Sequence, residues 1–174
     1  DRSGSVTVYK TTFGAMTNWT IYSETGGTVN ITECKLSNVN IEMNGSSILF
    51  KNDISDSYIV IGMISPGTSI MNNTISNTIM LLEYINEINV TYNIFDAVSI
   101  TLRSVGGVNI SENIFNNSAY LNITSPSTFA YLVKNTFESS SATIENAVLL
   151  PVDIKLNEFK NAELLIGGSS AVSI

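Results

Sequence analysis

The sequence predicts an all-β fold: one solenoid of about eight stacked coils of parallel strands. Three observations support this prediction. The 174 residues are 44% apolar and 13% charged, and their richness in Ile, Val, Thr, Ser and Asn favours strands and turns over helices. A pattern near 20 residues long recurs along the chain. Within each repeat, apolar residues alternate with polar ones, as in a strand. We expect a single domain over residues 1–174, or an excerpt from a longer solenoid.

A column of asparagines defines the repeat. The column positions are Thr11, Cys34, Asn52, Asn73, Asn93, Asn113, Asn135 and Asn157. The intervals between them are 23, 18, 21, 20, 20, 22 and 22 residues. Two or three short strands fit into each interval, so each repeat predicts one coil of a solenoid. Coils about 4.8 Å apart would bring equivalent residues into register and pair their strands in parallel.

The elements of each coil follow in a fixed order. A first strand precedes the column and has an apolar residue three positions before it. Two positions after the column stands another apolar residue, and from Phe95 to Phe159 it is always Phe, so we expect an aromatic stack in the core. Four positions after the column, small or polar residues such as Asn117 predict a turn. A second strand then alternates inward, as at Ile100 and Leu102.

One segment leaves a helical alternative open. Residues 78–90, TIMLLEYINEINV, fit an amphipathic helix as well as two strands. The column alignment places Met80, Leu82 and Ile88 in phase with the neighbouring coils. This agreement favours strand–loop–strand.

Two other solenoids compete with this interpretation. A leucine-rich repeat would need repeated leucines and a helical outer segment, whereas the outer segments here are short and contain Gly, Ser and Pro, as in residues 65–67. A left-handed β-helix would need hexapeptides of constant length, and the interval drifts. The columns resemble those of the right-handed parallel β-helix family, the pectin-lyase-like superfamily, from about Val6 to Ile174. The resemblance implies a single-stranded right-handed parallel β-helix and says little about activity.

We interpret the asparagine column as structural. A buried amide without partners costs about 1–3 kcal/mol, but stacked asparagines can donate to each other and to the turn backbone. The predicted ladder consists of Asn52, Asn73, Asn93, Asn113, Asn135 and Asn157. It should end towards the N-terminus at Cys34 and Thr11. Because Asn tolerates the left-handed conformation, we also expect these residues to form the bends. The alternative is a ligand or metal site, which would be local rather than repeated in every coil.

Composition argues against several functions. The net charge is −7 without a basic cluster, so we expect no nucleic-acid binding. No apolar run reaches 18 residues, so we expect no membrane span. The chain has no His, and its one cysteine, Cys34, forms neither an intrachain disulfide nor a cysteine-based metal site. We expect no metal, no cofactor and no catalytic residue.

The resemblance implies what an enzyme of this family would need. Such enzymes usually act on acidic polysaccharides, with an Arg base beside acidic calcium ligands, or with close Asp residues and an auxiliary His. Here Arg103 falls in the apparent loop SITLRSVGG, where we expect a solvated cation. Asp53 and Asp56 occupy different positions of one coil, and no carboxylate pair recurs at one outward position on adjacent coils. We therefore expect a protein that is not an enzyme.

Asn-X-Ser/Thr sequons are numerous. They begin at Asn18, Asn30, Asn44, Asn72, Asn89, Asn109, Asn116 and Asn122. Three of them, Asn30, Asn89 and Asn109, share one outward column. Glycans there would cover the rod if the chain is exported by a glycosylating cell. The alternative is a chance consequence of a composition rich in Asn, Ser and Thr.

An outward face of the second strand contains apolar residues. They are Trp19, Tyr58, Val60, Ile79, Leu81, Leu121 and Leu165. Tyr58, Val60, Ile79 and Leu81 should form a contiguous patch on adjacent coils. Such a patch contacts another subunit, another domain or a covering loop, for which the residues before Thr68 are candidates.

The two ends of the repeat also suggest contacts. Val6 and Val8 begin the first coil, and Val172 and Ile174 fit the start of a ninth, without an amphipathic capping helix at either end. We expect either a longer solenoid or subunits that stack head to tail. The leading hypothesis is an extracellular or cell-surface structural protein, a rod that assembles end to end into a filament or surface layer. The alternatives are a polysaccharide-binding or polysaccharide-degrading module, and one domain of a larger adhesin or tail fibre.

Overall fold

The computed structural model describes residues 5–14, 19–62, 67–147, 150–168 and 172–173, and its regular elements there are all β-strands. The strands pair in parallel and stack as a β-solenoid of about seven turns. The predicted all-β parallel β-helix is confirmed. The predicted number of coils was slightly too high, because eight column positions enclose only seven intervals.

Each turn has three faces, which we name F1, F2 and F3 in chain order. Face F1 precedes the asparagine column and contains the strands Ser5–Tyr9, Thr68–Met71, Glu87–Thr91, Gly107–Ser111, Phe129–Val133, Val152–Lys155 and Val172–Ser173. Face F2 follows the column and contains Thr12–Phe13, Lys35–Ser37, Asp53–Ser55, Thr74–Ser76, Ile94–Asp96, Ile114–Asn116, Thr136–Glu138 and Glu158–Lys160. Face F3 contains Tyr58–Ile61, Ile79–Glu83, Ser99–Arg103, Tyr120–Thr124, Ser141–Glu145 and Glu163–Gly167. Two long strands, Trp19–Thr32 and Val39–Phe50, each run from F3 onto F1.

The segment with a helical alternative forms two strands. Ile79–Glu83 and Glu87–Thr91 are separated by a corner at Tyr84, whose φ is 55°. Met80, Leu82 and Ile88 are buried, as their positions in the columns predicted. Strand–loop–strand is therefore confirmed over these residues.

Residues in the left-handed conformation form the corners of the coil. At the F2–F3 corner they include the predicted turn position, at Asn38, Asp56, Asn77, Ala97, Asn117, Ser139 and Asn161. At the F1–F2 corner they are the residues just before the column, Lys10, Glu33, Lys51, Asn72, Tyr92, Glu112, Lys134 and Leu156. The expectation that the column asparagines themselves form the bend was wrong. The left-handed residue is exposed at the corner, which leaves the next side chain to point inward.

The inward positions form continuous columns from turn to turn. On F2, the rings of Phe95 and Phe115 stack with centroids 5.0 Å apart, those of Phe115 and Phe137 at 4.6 Å, and those of Phe137 and Phe159 at 4.9 Å. The first three of these rings are fully buried. The predicted aromatic stack is therefore present in the core.

One corner contains an extra residue. Asn117 and Ser118 are both left-handed, with φ of 52° and 67°, whereas the equivalent corners at Ala97 and Ser139 have a single left-handed residue. Side chains alternate along a strand, so one added residue reverses which of them point inward. Leu121 is consequently buried, and the prediction that it faces outward was wrong.

The asparagine ladder and the candidate functional surfaces

Hydrogen bonds connect the column asparagines to each other and to the backbone of neighbouring turns. The Oδ1 atom of Asn113 accepts the backbone N–H and the Nδ2–H of Asn93, at 2.9 and 3.0 Å. Its Nδ2 donates to Oδ1 of Asn135 at 3.0 Å and to the carbonyl oxygens of Val90 and Ser111 at 2.8 and 3.0 Å. Asn113 is 1% exposed, so these bonds satisfy an amide that water does not reach.

Donation to the Oδ1 atom of the next column residue, from both the backbone N–H and Nδ2, repeats from Asn52 to Asn135. Asn157 is the last acceptor, and the ladder ends in the other direction at Cys34. Cys34 donates its backbone N–H to Oδ1 of Asn52 at 2.9 Å. Its Sγ lies 3.2 Å from the Thr32 carbonyl and 3.5 Å from the Val8 carbonyl. These two carbonyls correspond to the acceptors of an asparagine Nδ2 at the other column positions. The thiol is a weak donor and a poor acceptor, so the chain of amide-to-amide bonds stops here.

The exposed F1–F2 corner carries pairs of charged and polar side chains. Lys10 lies 3.6 Å from Glu33, and Lys134 lies 3.9 Å from Glu112. The Tyr92 phenol also hydrogen-bonds to Glu112, which raises the pKa of Tyr92. Exposed pairs like these contribute little stability, because water and salt screen the attraction. Each pair joins equivalent corner residues of successive turns, so stacking aligns side chains on the outer surface as well as in the core.

The residues weighed for catalysis do not converge. The sequence predicted a loop at Arg103, and this prediction was wrong. Arg103 ends the strand Ser99–Arg103 and lies 3.5 Å from its register partner Glu83. Asp53 begins an F2 strand and Asp56 forms a corner, so their side chains serve different parts of the coil. Within the described ranges, no three His, Cys, Asp or Glu side chains lie together as metal ligands.

The sequons differ in accessibility. Asn72 is exposed at a corner, whereas Asn30, Asn89, Asn109, Asn116 and Asn122 are half-buried. Asn44 is 6% exposed, and a glycan on it is incompatible with this fold. Asn18 lies outside the described residues.

The apolar patch predicted on F3 has two clearly exposed members. Tyr58 and Ile79 are register partners and are 42% and 55% exposed. Val60 and Leu81 pair beside them but are half-buried. Residues 63–66, from the loop considered as a cover, lie outside the described part of the chain.

The outermost described turns present core positions to solvent. Val6 and Val172 are 39% and 40% exposed, and Val8 is partly buried. Ile174, which was expected to join them, lies outside the described residues. Partly buried core side chains are Phe13 and Ile21 at one end and Phe159, Leu164 and Ile166 at the other.

Sequence reasoning missed an aromatic pair on F1. The rings of Phe129 and Tyr131 stack at 4.6 Å on the outer side of one strand. Phe129 lies over Gly107 of the preceding turn, where an added Cβ would come within 2.4 Å of the ring. The available signal was the glycine, which stands at the same position of the repeat as an aromatic residue 22 positions later. The pair was missed because the predicted columns contained only inward residues.

Comparison with known proteins adds no relative: no family model matches the chain, and no curated protein matches it significantly. Among the described residues, no helix is long and apolar enough to cross a bilayer.

Proposed function

We propose that this protein is a structural rod without enzymatic activity, located outside the cell or on its surface, which assembles end to end with copies of itself. The observation that supports the proposal is the continuity of the inward columns. The same columns that pack one turn on the next reach both outermost described turns, where their side chains are only partly buried. A second copy placed in register would extend the stack, as a heterologous contact that repeats without closing.

The ladder supports the same arrangement. At the last column position, Asn157 accepts from Asn135 and donates to the Leu132 carbonyl. Interior ladder residues additionally donate to Oδ1 of the next turn, as Asn113 does to Asn135. A further turn over Asn157 would supply that acceptor. The partly buried apolar side chains and the amide of Asn157 therefore favour contact with another β-helical turn.

The test compares two leucines on one strand of the 174-residue chain. Leu164 is inward and partly buried, whereas Leu165 is outward and 54% exposed. We expect the parent chain and L165E to form long particles in electron micrographs and to sediment as oligomers. L164E should remain monomeric, because a carboxylate in the contact loses hydration without gaining a partner. Circular dichroism checks that both variants fold.

Two outcomes would count against this function. One is a parent chain that stays monomeric at high concentration. The other is a pair of folded variants that assemble equally, since the inward column would then make no contact between copies.

A second candidate function, binding of a polysaccharide along F1, is favoured by the aromatic pair. The ring faces of Phe129 and Tyr131 offer an apolar platform, with a phenol hydroxyl at its edge. The shallow groove beside them is lined by Tyr131, Pro151, Val152, Asp153, Lys155, Val172 and Ser173. Asp153 and Lys155, paired at 2.8 Å, add an acceptor and a donor for sugar hydroxyls.

A panel of immobilised polysaccharides tests this candidate. If a polysaccharide binds through F1, Y131A should weaken binding about two- to tenfold, because an aromatic contact contributes about 0.5–1.5 kcal/mol. The matched control is Y84A, which removes a tyrosine exposed at a corner two turns earlier in the stack. Failure to bind any member of the panel, or equal loss in both variants, rejects F1 as the binding face.

A further inference from the structure

The corner residue Asn72 differs from the other described sequon asparagines in its exposure. It has a φ of 57° and a side chain open to solvent, while its backbone N–H donates to the Thr91 carbonyl at 3.1 Å. Its backbone is therefore fixed by the stack, and its amide side chain extends from the corner. The hydroxyl residue of the sequon, Thr74, is also exposed.

The asparagines on F1 are poorer acceptors for a glycan. Asn89 and Asn109 are register partners, and Nδ2 of Asn109 donates to Oδ1 of Asn89 at 3.1 Å. Because adjacent turns are only about 4.8 Å apart, two glycans on this pair would overlap. The Oδ1 atom of Asn30 is buried without a hydrogen-bond partner, so this amide packs against the surface.

Two further sequons are also held against the protein. The Oδ1 atom of Asn116 is buried without a partner. Asn122 is half-buried and accepts a hydrogen bond from the Thr124 hydroxyl at 3.2 Å.

A tyrosine lies on the turn next to Asn72. Tyr92 occupies the next position of the same corner column and is 55% exposed. Its aromatic ring therefore lies open to solvent at the corner beside Asn72. The exposed face of that ring is an apolar surface of the size of a sugar ring, and the C–H groups of a pyranose can pack against it.

We propose that Asn72 carries an N-linked glycan when the chain is exported through a glycosylating secretory pathway, and that the ring of Tyr92 packs against the first sugar. The inference rests on the extracellular location proposed above. The experiment supplies the secretory route itself, so its result does not depend on whether the chain assembles.

Site occupancy is tested by secretion of the chain from eukaryotic cells and mass spectrometry of its peptides. T74A removes the sequon without altering Asn72, and S46A does the same for the buried Asn44. We expect Asn72 to be occupied in the parent, T74A to lose one glycan mass, and S46A to lose none. An unmodified Asn72, or an occupied Asn44 in folded protein, overturns the assignment.

The contact with Tyr92 is tested by a thermal double-mutant cycle on secreted protein. The glycan should raise Tm by about 2–4 °C, the shift expected for about 1 kcal/mol in a chain of this size. Y92A should abolish that increment and Y92F should keep it. The T74A background measures the effect of Y92A without the glycan. If Y92A lowers Tm equally in the parent and in T74A, the ring makes no contact with the sugar.

Discussion

At the scale of the residue, the column requires asparagine because one side chain must accept and donate at the same place. In Asn113 the oxygen accepts two N–H groups from Asn93, and the nitrogen donates to three acceptors. Leucine would fill the space but leave backbone groups without partners, and aspartate would place a charge in the core. Cys34 keeps the donor geometry and lacks the amide oxygen, which explains why it occurs only where the ladder ends.

Replacement of a central ladder residue should therefore be costly. We expect N113A to lower the free energy of unfolding by roughly 3 kcal/mol, since a buried group that loses its partner costs about 1–3 kcal/mol and more than one group is affected. The control is N109A, which removes a half-buried amide with one side-chain bond to Asn89 and should cost less than about 1 kcal/mol. Urea denaturation measures both. Equal losses would mean that the ladder does not stabilise the stack.

Residue-scale prediction from sequence succeeded where a pattern repeats and failed where backbone geometry decides. Six asparagines at one position of the repeat predicted stacked amides from the sequence alone. The left-handed residue beside them was missed because seven of the eight residues at that position are Lys, Glu, Tyr or Leu, none of which signals positive φ. Arg103 was misplaced because its neighbours Ser104 and Gly106 resemble a loop, although it ends a strand beside Glu83.

At the scale of the element, the extra residue at Ser118 shows how the fold accommodates changes in coil length. At two earlier F2–F3 corners, backbone N–H groups donate to the hydroxyls of Ser57 and Thr78 on the next turn. The equivalent N–H at Ala119 instead donates to the Asn116 carbonyl within its own corner. The hydroxyl of Ser140, buried on the next turn, is left without a partner. A length change is thus absorbed at a corner, at the cost of one hydrogen bond.

Deletion of Ser118 should be tolerated. The corner would then match the one at Ala97, the inward phase of Leu121 would be unchanged, and the Ala119 N–H could reach Ser140. We expect the deletion variant to unfold at the same or higher urea concentration than the parent, with a gain of about 1 kcal/mol from the new bond. Deletion of Thr101, inside a strand, is the control, because it would turn Leu102 outward and abolish folding. Equal damage from the two deletions would contradict this account of the corner.

At the scale of the whole molecule, the fold was predictable because a solenoid repeats its contacts. Each turn packs mainly on its neighbours, so the error at Leu121 does not propagate to other turns. The functional surfaces were less predictable. The pairing of Phe129 with Tyr131 depends on the empty space at Gly107, which only the register of two turns brings beneath the ring. The exposure of Asn72 likewise follows from its corner position, which the sequon alone does not reveal.

The ladder also gives the rod a direction. All six side-chain carbonyls, from Asn52 to Asn157, accept from the preceding turn, so their oxygens point towards the N-terminal end. Aligned amide dipoles add, as they do along an α-helix, and leave the two ends of the column with opposite partial charges. Two rods joined by like ends would place equal partial charges in contact, whereas unlike ends attract. A filament of this protein would therefore be polar, with every subunit oriented the same way and two chemically distinct tips.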